Sequence, residues 1–159
     1  MVKFATKNLD KMEAAKKLAD VPKEKPSAQG LIAKARKLSN ECNDDAGAAR
    51  IYELAAKLHS DDSYTLNECA WFLLTCKDEK VRDPQKALPL ARKAVKETKE
   101  EEGHVLDTLA KALHDTGDLA GAAKYSKMAA EKSPGNQDVA ERAKEYAKDA
   151  ASVGSGSKQ

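Results

Sequence analysis

The amino-acid sequence predicts an all-α fold, a helix-turn-helix repeat solenoid of about three units with a capping helix at each end. Two observations carry this. First, an alanine recurs seven residues after another alanine three times within amphipathic stretches: Ala48 and Ala55, Ala87 and Ala94, Ala122 and Ala129. Second, the leading alanines are 39 and 35 residues apart, close to the roughly 34-residue period of helix-pair arrays. Alanine at such positions lets two helix axes approach with only a methyl between them, toward the close end of the usual range of about 8–10 Å.

The best-formed unit runs from Gly103 to Pro134. Its first helix carries Leu106, Leu109, Ala110 and Leu113, an i, i+3, i+4, i+7 stripe with Asp, Lys and His on the remaining surface. Gly117 ends that helix because glycine tolerates the left-handed backbone of a helix C-terminus, and Asp118 can accept from the free amides that open the next helix. The second helix presents Ala122, Tyr125, Ala129 and Ala130 on one side, and Pro134-Gly135 stops it.

Upstream, Leu66, Cys69, Ala70 and Leu73 repeat the first-helix stripe, and Ala87, Ala91 and Ala94 repeat the second. The connection is longer here: Leu73 to Ala87 spans 14 residues against 9 from Leu113 to Ala122, so the turn from Cys76 to Asp83 holds five extra residues. Asp83-Pro84 reopens a helix, with aspartate as cap and proline where its missing N–H costs nothing. Pro89 falls inside that helix and predicts a local kink. In the first unit Leu31, Ala35, Leu38 and Cys42 form the stripe, and Ala48, Tyr52 and Ala55 follow after Asn43-Asp44-Asp45, in a register that could slip by one residue.

A last helix capped by Asn136 has Val139, Ala143, Tyr146, Ala147 and Ala150 on its apolar side. Glu141, Arg142, Lys144, Glu145 and Lys148 form the polar face that a solenoid end needs. Three segments follow from this reading. Residues 1–28 are an arm in which Leu9, Met12, Ala15 and Ala19 suit a short helix, followed by a Pro/Lys link from Pro22 to Pro26; residues 29–151 are the repeat domain; residues 152–159 are a flexible Gly/Ser tail.

The order Leu106-x2-Leu109-Ala110-x2-Leu113, then Gly117, Ala122, Ala129 and Pro134, resembles the tetratricopeptide repeat family. The run Cys69 to Cys76, with Val81-Arg82-Asp83-Pro84 ahead of Lys86-Ala87-Leu88, looks like modules found in bacterial multidomain proteins, a likeness covering roughly residues 60–150. The resemblance implies a concave groove, lined by the first helices, that holds an extended peptide or a partner helix. By matched position it nominates Arg36 and Asn40 from the first unit and Tyr64, Asn67, Trp71 and Thr75 from the second. From the third it nominates His104, Asp107, Lys111 and His114. Asn67 could donate to and accept from a peptide backbone at once. Trp71, the single tryptophan, is either a binding anchor or is covered by the lengthened turn or the N-terminal arm, with the covered position favoured. Family members that clamp a terminal carboxylate use a Lys, Asn and Arg cluster, which Glu68 and Asp107 interrupt here.

Other classes find little support. With 28 basic and 26 acidic residues the net charge is +2, and the lysines and glutamates interleave, so no basic patch argues for nucleic acid. No apolar run approaches the roughly 20 residues of a membrane span, and the first residues lead into charges rather than into a secretory core, so the expectation is a cytoplasmic protein. Cys42, Cys69 and Cys76 form no Cys-x-x-Cys pair; Cys69 occupies the core place of Leu109, and Cys42 and Cys76, both ending first helices of neighbouring units, make a disulfide conceivable although helices about 8–10 Å apart exceed what the bond usually spans. His59, His104 and His114 lack metal-ligand spacing. No phosphate loop or nucleophile elbow is present. The expectation is a non-catalytic protein-interaction module without cofactor or metal. The alternatives are a self-associating scaffold, hence a homo-oligomer, and an accessory domain of a multi-component bacterial enzyme system.

Overall fold

A computed structural model describes residues 26–155. The expected arm helix over Leu9 to Ala19 lies outside the described residues. Seven helices follow one another among those residues: α1 (Ala28–Cys42), α2 (Asp45–Leu58), α3 (Ser63–Thr75), α4 (Pro84–Glu97), α5 (Gly103–Asp115), α6 (Leu119–Lys132) and α7 (Gln137–Ser155). They pack as three antiparallel pairs, α1/α2, α3/α4 and α5/α6, with α7 against α6. The first helices of the pairs also touch one another directly, α1 to α3 and α3 to α5, and so form one side of the stack.

Each second helix opens on an aspartate whose carboxylate accepts from the amide three residues on: Asp44 from Gly47 at 2.7 Å, Asp83 from Lys86 at 3.0 Å, Asp118 from Gly121 at 2.9 Å. These caps satisfy amides that have no partner inside the helix. Asn136 Oδ1 accepts from Val139 N at 3.3 Å and opens α7 in the same way. Gly117 has φ +91°, the left-handed conformation its place predicts. In the first unit the corresponding turn is made by Asn43 at φ 55°, a residue whose short amide side chain tolerates that region.

The core is the meeting of the predicted stripes. Ala48, Ala55, Ala87, Ala94, Ala122 and Ala129 are all fully buried, as are Ala70 and Ala110 on the facing helices. Gly103 shows how close the approach is: a Cβ there would lie 3.0 Å from the Ala129 carbonyl oxygen. The second helix of the third unit departs from expectation, for Ser126 is fully buried while Tyr125 and Ala130 are half-buried. The Ser126 hydroxyl donates to Ala123 O at 3.1 Å within its own helix, which removes the cost of burying it.

The lengthened turn is a packed element. Asp83 N donates to Leu73 O at 2.9 Å and Arg82 Nε to Cys76 O at 2.7 Å, which closes the turn on itself. Asp45, buried at the start of α2, accepts from Asp78 N at 2.8 Å and from the Ser39 hydroxyl, so one carboxylate ties α1, α2 and the turn together. Helix α4 runs uninterrupted through Pro89, whose ring is exposed. The Arg142 side chain leaves the solvent face assigned to it and reaches α5, and α7 continues to Ser155, past Ser152, the expected start of the flexible tail.

Candidate peptide-binding face

Two cavities of about 370 and 380 Å³ adjoin on the side formed by α1, α3, α5 and α7, and Trp71 and Thr75 of α3 belong to both. Arg36 and Asn40 of α1 and Tyr52 of α2 contribute to the first. Lys111, His114 and Asp115 of α5, with Arg142 and Tyr146 of α7, contribute to the second. Six of the ten nominated residues, Arg36, Asn40, Trp71, Thr75, Lys111 and His114, therefore line the pair of cavities. Tyr64, Asn67, His104 and Asp107 do not.

Trp71 is half-buried, and the N-terminal arm, one of the two covers expected for it, lies outside the described residues. The lengthened turn docks on Leu73, Cys76 and Asp45 instead of folding over the indole. One face of the ring meets the Arg142 guanidinium, 5.7 Å from the ring centroid, a cation–π geometry. Thr75 donates to the Trp71 carbonyl at 2.7 Å and completes the last turn of α3 between the two cavities.

Ion pairs organise the walls. Arg36 donates to Glu68 at 2.6 Å and to the Tyr64 hydroxyl at 3.3 Å, and the Glu68 hydrogen bond holds its guanidinium above its ordinary pKa. Arg142 grips Asp107 with two bonds, Nε at 2.9 Å and Nη2 at 2.6 Å, and is raised for the same reason. Lys111 pairs with Asp115 at 3.0 Å, one helical turn on. His114 stacks on Tyr146 with centroids 4.2 Å apart and Nε2 2.8 Å from Asp149, which fastens α7 to α5. Burial, its largest cause, pushes the Tyr146 phenol up to about 12. Tyr52 stacks on Phe72 at 4.6 Å under the first cavity and is likewise pushed up to about 12 by burial.

Asn67 is 5% exposed and its Oδ1 has no hydrogen-bond partner. It is placed in the wall beneath the face rather than at its surface. Asp107, which occupies the same register in the third unit, solves the same burial with a charged partner, Arg142. His104 is exposed beside Glu102 at 3.3 Å and belongs to neither cavity. Arg142 and Tyr146 were missed as contributors to this face. Their stripe marks α7 as an end cap, and only the 35-residue step between Asp107 and Arg142, one repeat period, hints that they meet.

Cys69 is buried and its thiol donates to Tyr52 O at 3.0 Å; burial pushes it up to about 12. All three cysteines are free. Among the described residues there is no group of His, Cys, Asp or Glu able to hold a metal ion, and no helix long and apolar enough to cross a membrane.

This architecture is a tetratricopeptide-repeat fold. It is similar to the first such domain of Spaghetti (RPAP3), solved bound to the HSP90 peptide SRMEEVD, with a TM-score of 0.67 at 14% identity over 80% of this chain and 96% of that one. It is also similar to MamA, residue 41 to the end, from Desulfovibrio magneticus RS-1, with a TM-score of 0.60 at 15% identity over 99% of this chain and 94% of that one. No sequence-family model matches the chain, and no curated protein compared with it is similar.

Proposed function

We propose that the protein is a non-catalytic interaction module that holds an extended peptide across the face of α1, α3, α5 and α7, with Trp71 as the ridge between two side-chain pockets. The observation that carries this is the half-exposed indole shared by two adjoining cavities. An aromatic so placed supplies contact area at little entropic cost and is a frequent anchor of protein interfaces. Asn40, exposed on α1, and Lys111 supply polar contacts, and Arg36, Tyr64 and His114 frame them. Asn67 supports the face from below, its Oδ1 buried and without a hydrogen-bond partner.

The acidic peptide in the RPAP3 structure is not the ligand expected here. The two arginines of this face are already committed to Glu68 and Asp107, so a terminal carboxylate would have to displace an internal one. A peptide with an uncharged C-terminal part avoids that exchange. A micromolar complex needs about 8 kcal/mol, within reach of an aromatic contact and several hydrogen bonds after ordering costs.

Because Trp71 is the single tryptophan, its emission reports on the face directly. Screening a random extended-peptide library and titrating the captured sequences should give saturable shifts of that emission. Replacing Asn40 and Lys111 together by alanine should weaken those peptides about tenfold with an unchanged thermal midpoint. Captured peptides that bind this double variant as tightly as the wild type, and leave the indole emission unmoved, would assign binding to another surface.

A further inference from the structure

The first-helix stripe occurs in α7 as well as in α3 and α5. Leu66, Cys69, Ala70 and Leu73 of α3 and Leu106, Leu109, Ala110 and Leu113 of α5 correspond in spacing to Val139, Arg142, Ala143 and Tyr146 of α7. The outer members behave alike, with Leu66, Leu106 and Val139 at 1, 0 and 3% exposure and Leu73, Leu113 and Tyr146 at 4, 1 and 4%. The alanine breaks the pattern. Ala70 and Ala110 are fully buried, whereas Ala143 is only half-buried and Ala147, one turn on, is exposed.

The difference has a plain cause. After α3 and after α5 a second helix packs back on its predecessor, while among the described residues none follows α7. What is left is a groove of about 680 Å³ between α6 and α7, floored by Ala123, Ala130, Ala143 and Ala147. It shares no residue with the two cavities around Trp71. Its rim is charged in one sense: Lys124 and Lys127 from α6 and Lys144 from α7 are exposed along it, against Glu131.

We propose that this groove is a second docking site, which takes one amphipathic helix from a partner protein, seated where a fourth unit's second helix would lie. The floor selects a helix with small residues seven apart, as in α2, α4 and α6, since only methyl-sized side chains allow that approach. The lysine rim selects acidic residues flanking that stripe. A second copy of this chain fits poorly. Its α4 carries Lys86, Arg92, Lys93 and Lys96 against Glu97, and its α6 carries the rim lysines themselves, so like charges would meet.

The probe is the chain's own α2 sequence, Asp44 to Leu58, as an acetylated and amidated peptide with its Ala48 and Ala55 stripe, and the same peptide carrying Ala49→Glu and Ala56→Glu, each next to a stripe alanine and so on its flank. Labelled forms are titrated with the full chain and read by anisotropy. The acidic peptide should saturate and bind at least about fivefold tighter than the unmodified one, an effect of the size that a few exposed charge pairs give. Lys127→Glu with Lys144→Glu should reverse that preference. Ala147→Arg, at an exposed position whose effect on folding is checked by the thermal midpoint, should abolish binding. The proposal is overturned if neither peptide saturates at about 1 mM chain, the weak limit of specific association, or if Ala147→Arg binds unchanged. It is equally overturned if sedimentation shows a dimer that Ala147→Arg dissociates, or if binding requires removal of residues 1–25, since the occupant would then be a second copy or the chain's own arm.

Discussion

The grip of Arg142 on Asp107 joins α7 to the rest of the face, and the unequal exposure of its two ends predicts unequal costs. The Asp107 side chain is 7% exposed and the Arg142 side chain 27%. Arg142→Ala would leave a carboxylate in the wall without its two charge-assisted bonds and would remove the guanidinium over Trp71. Removing one partner of a buried pair costs about 3–5 kcal/mol; partial exposure of this pair places the loss lower, at about 2–3 kcal/mol. Asp107→Ala removes the group that cannot reach water and leaves an arginine that can, so its cost is about 1 kcal/mol. The double variant should therefore be less destabilised than the sum of the two, by about 1 kcal/mol or more. Urea unfolding followed by Trp71 emission measures all three, and the emission itself should change in the folded Arg142→Ala protein because the cation leaves the ring. Equal costs for the two single variants, or a double variant equal to their sum, would refute the reading that this pair is a buried latch.

Three further outcomes follow from the core and its titratable groups. Ala129→Leu forces three extra carbons into the α5/α6 crossing and should lower stability by about 1–3 kcal/mol, whereas Ala147→Leu on the exposed floor of the α6/α7 groove should stay within about 0.5 kcal/mol; paired thermal melts compare them. Tyr52 and Tyr146, raised from 10.0, and Cys69, raised from 9.0, all to about 12, are neutral in the folded chain where the unfolded chain would ionise them. Their contribution is whole below about pH 9 and is lost as pH climbs toward 12, so urea midpoints should fall over that window while tyrosinate absorbance from these two rings appears only with unfolding. With a thiol reagent at pH 8 the half-buried Cys42 should label first and Cys69 only on unfolding; rapid labelling of Cys69 in the native protein would contradict its placement.

The repeat was legible because each of its marks is local. An alanine spaced seven from another, an aspartate ahead of each second helix, and Gly117 at a left-handed corner all state their requirement within one or two turns of backbone. The face was legible only where position within a repeat decides orientation, as for Arg36, Asn40, Lys111 and His114. Asn67 has the right register but is 5% exposed, and register alone does not separate a residue in the wall from one at its surface. Asp107, in the same register, is buried against Arg142.

What the sequence withheld are contacts between residues one period apart whose chemistry does not repeat. Arg36 with Glu68 and Arg142 with Asp107 are 32 and 35 residues apart, and the basic partner comes from the earlier helix in one pair and the later helix in the other. Periodicity finds sameness, so it assigns Leu66, Leu106 and Val139 to one role and passes over pairs that alternate. The same reasoning turns the alanine of α7 into information. A residue that fits the repeat in type but not in burial marks a helix that, among the described residues, has no following partner, and a surface shaped to receive one more helix is open to a helix from a partner protein.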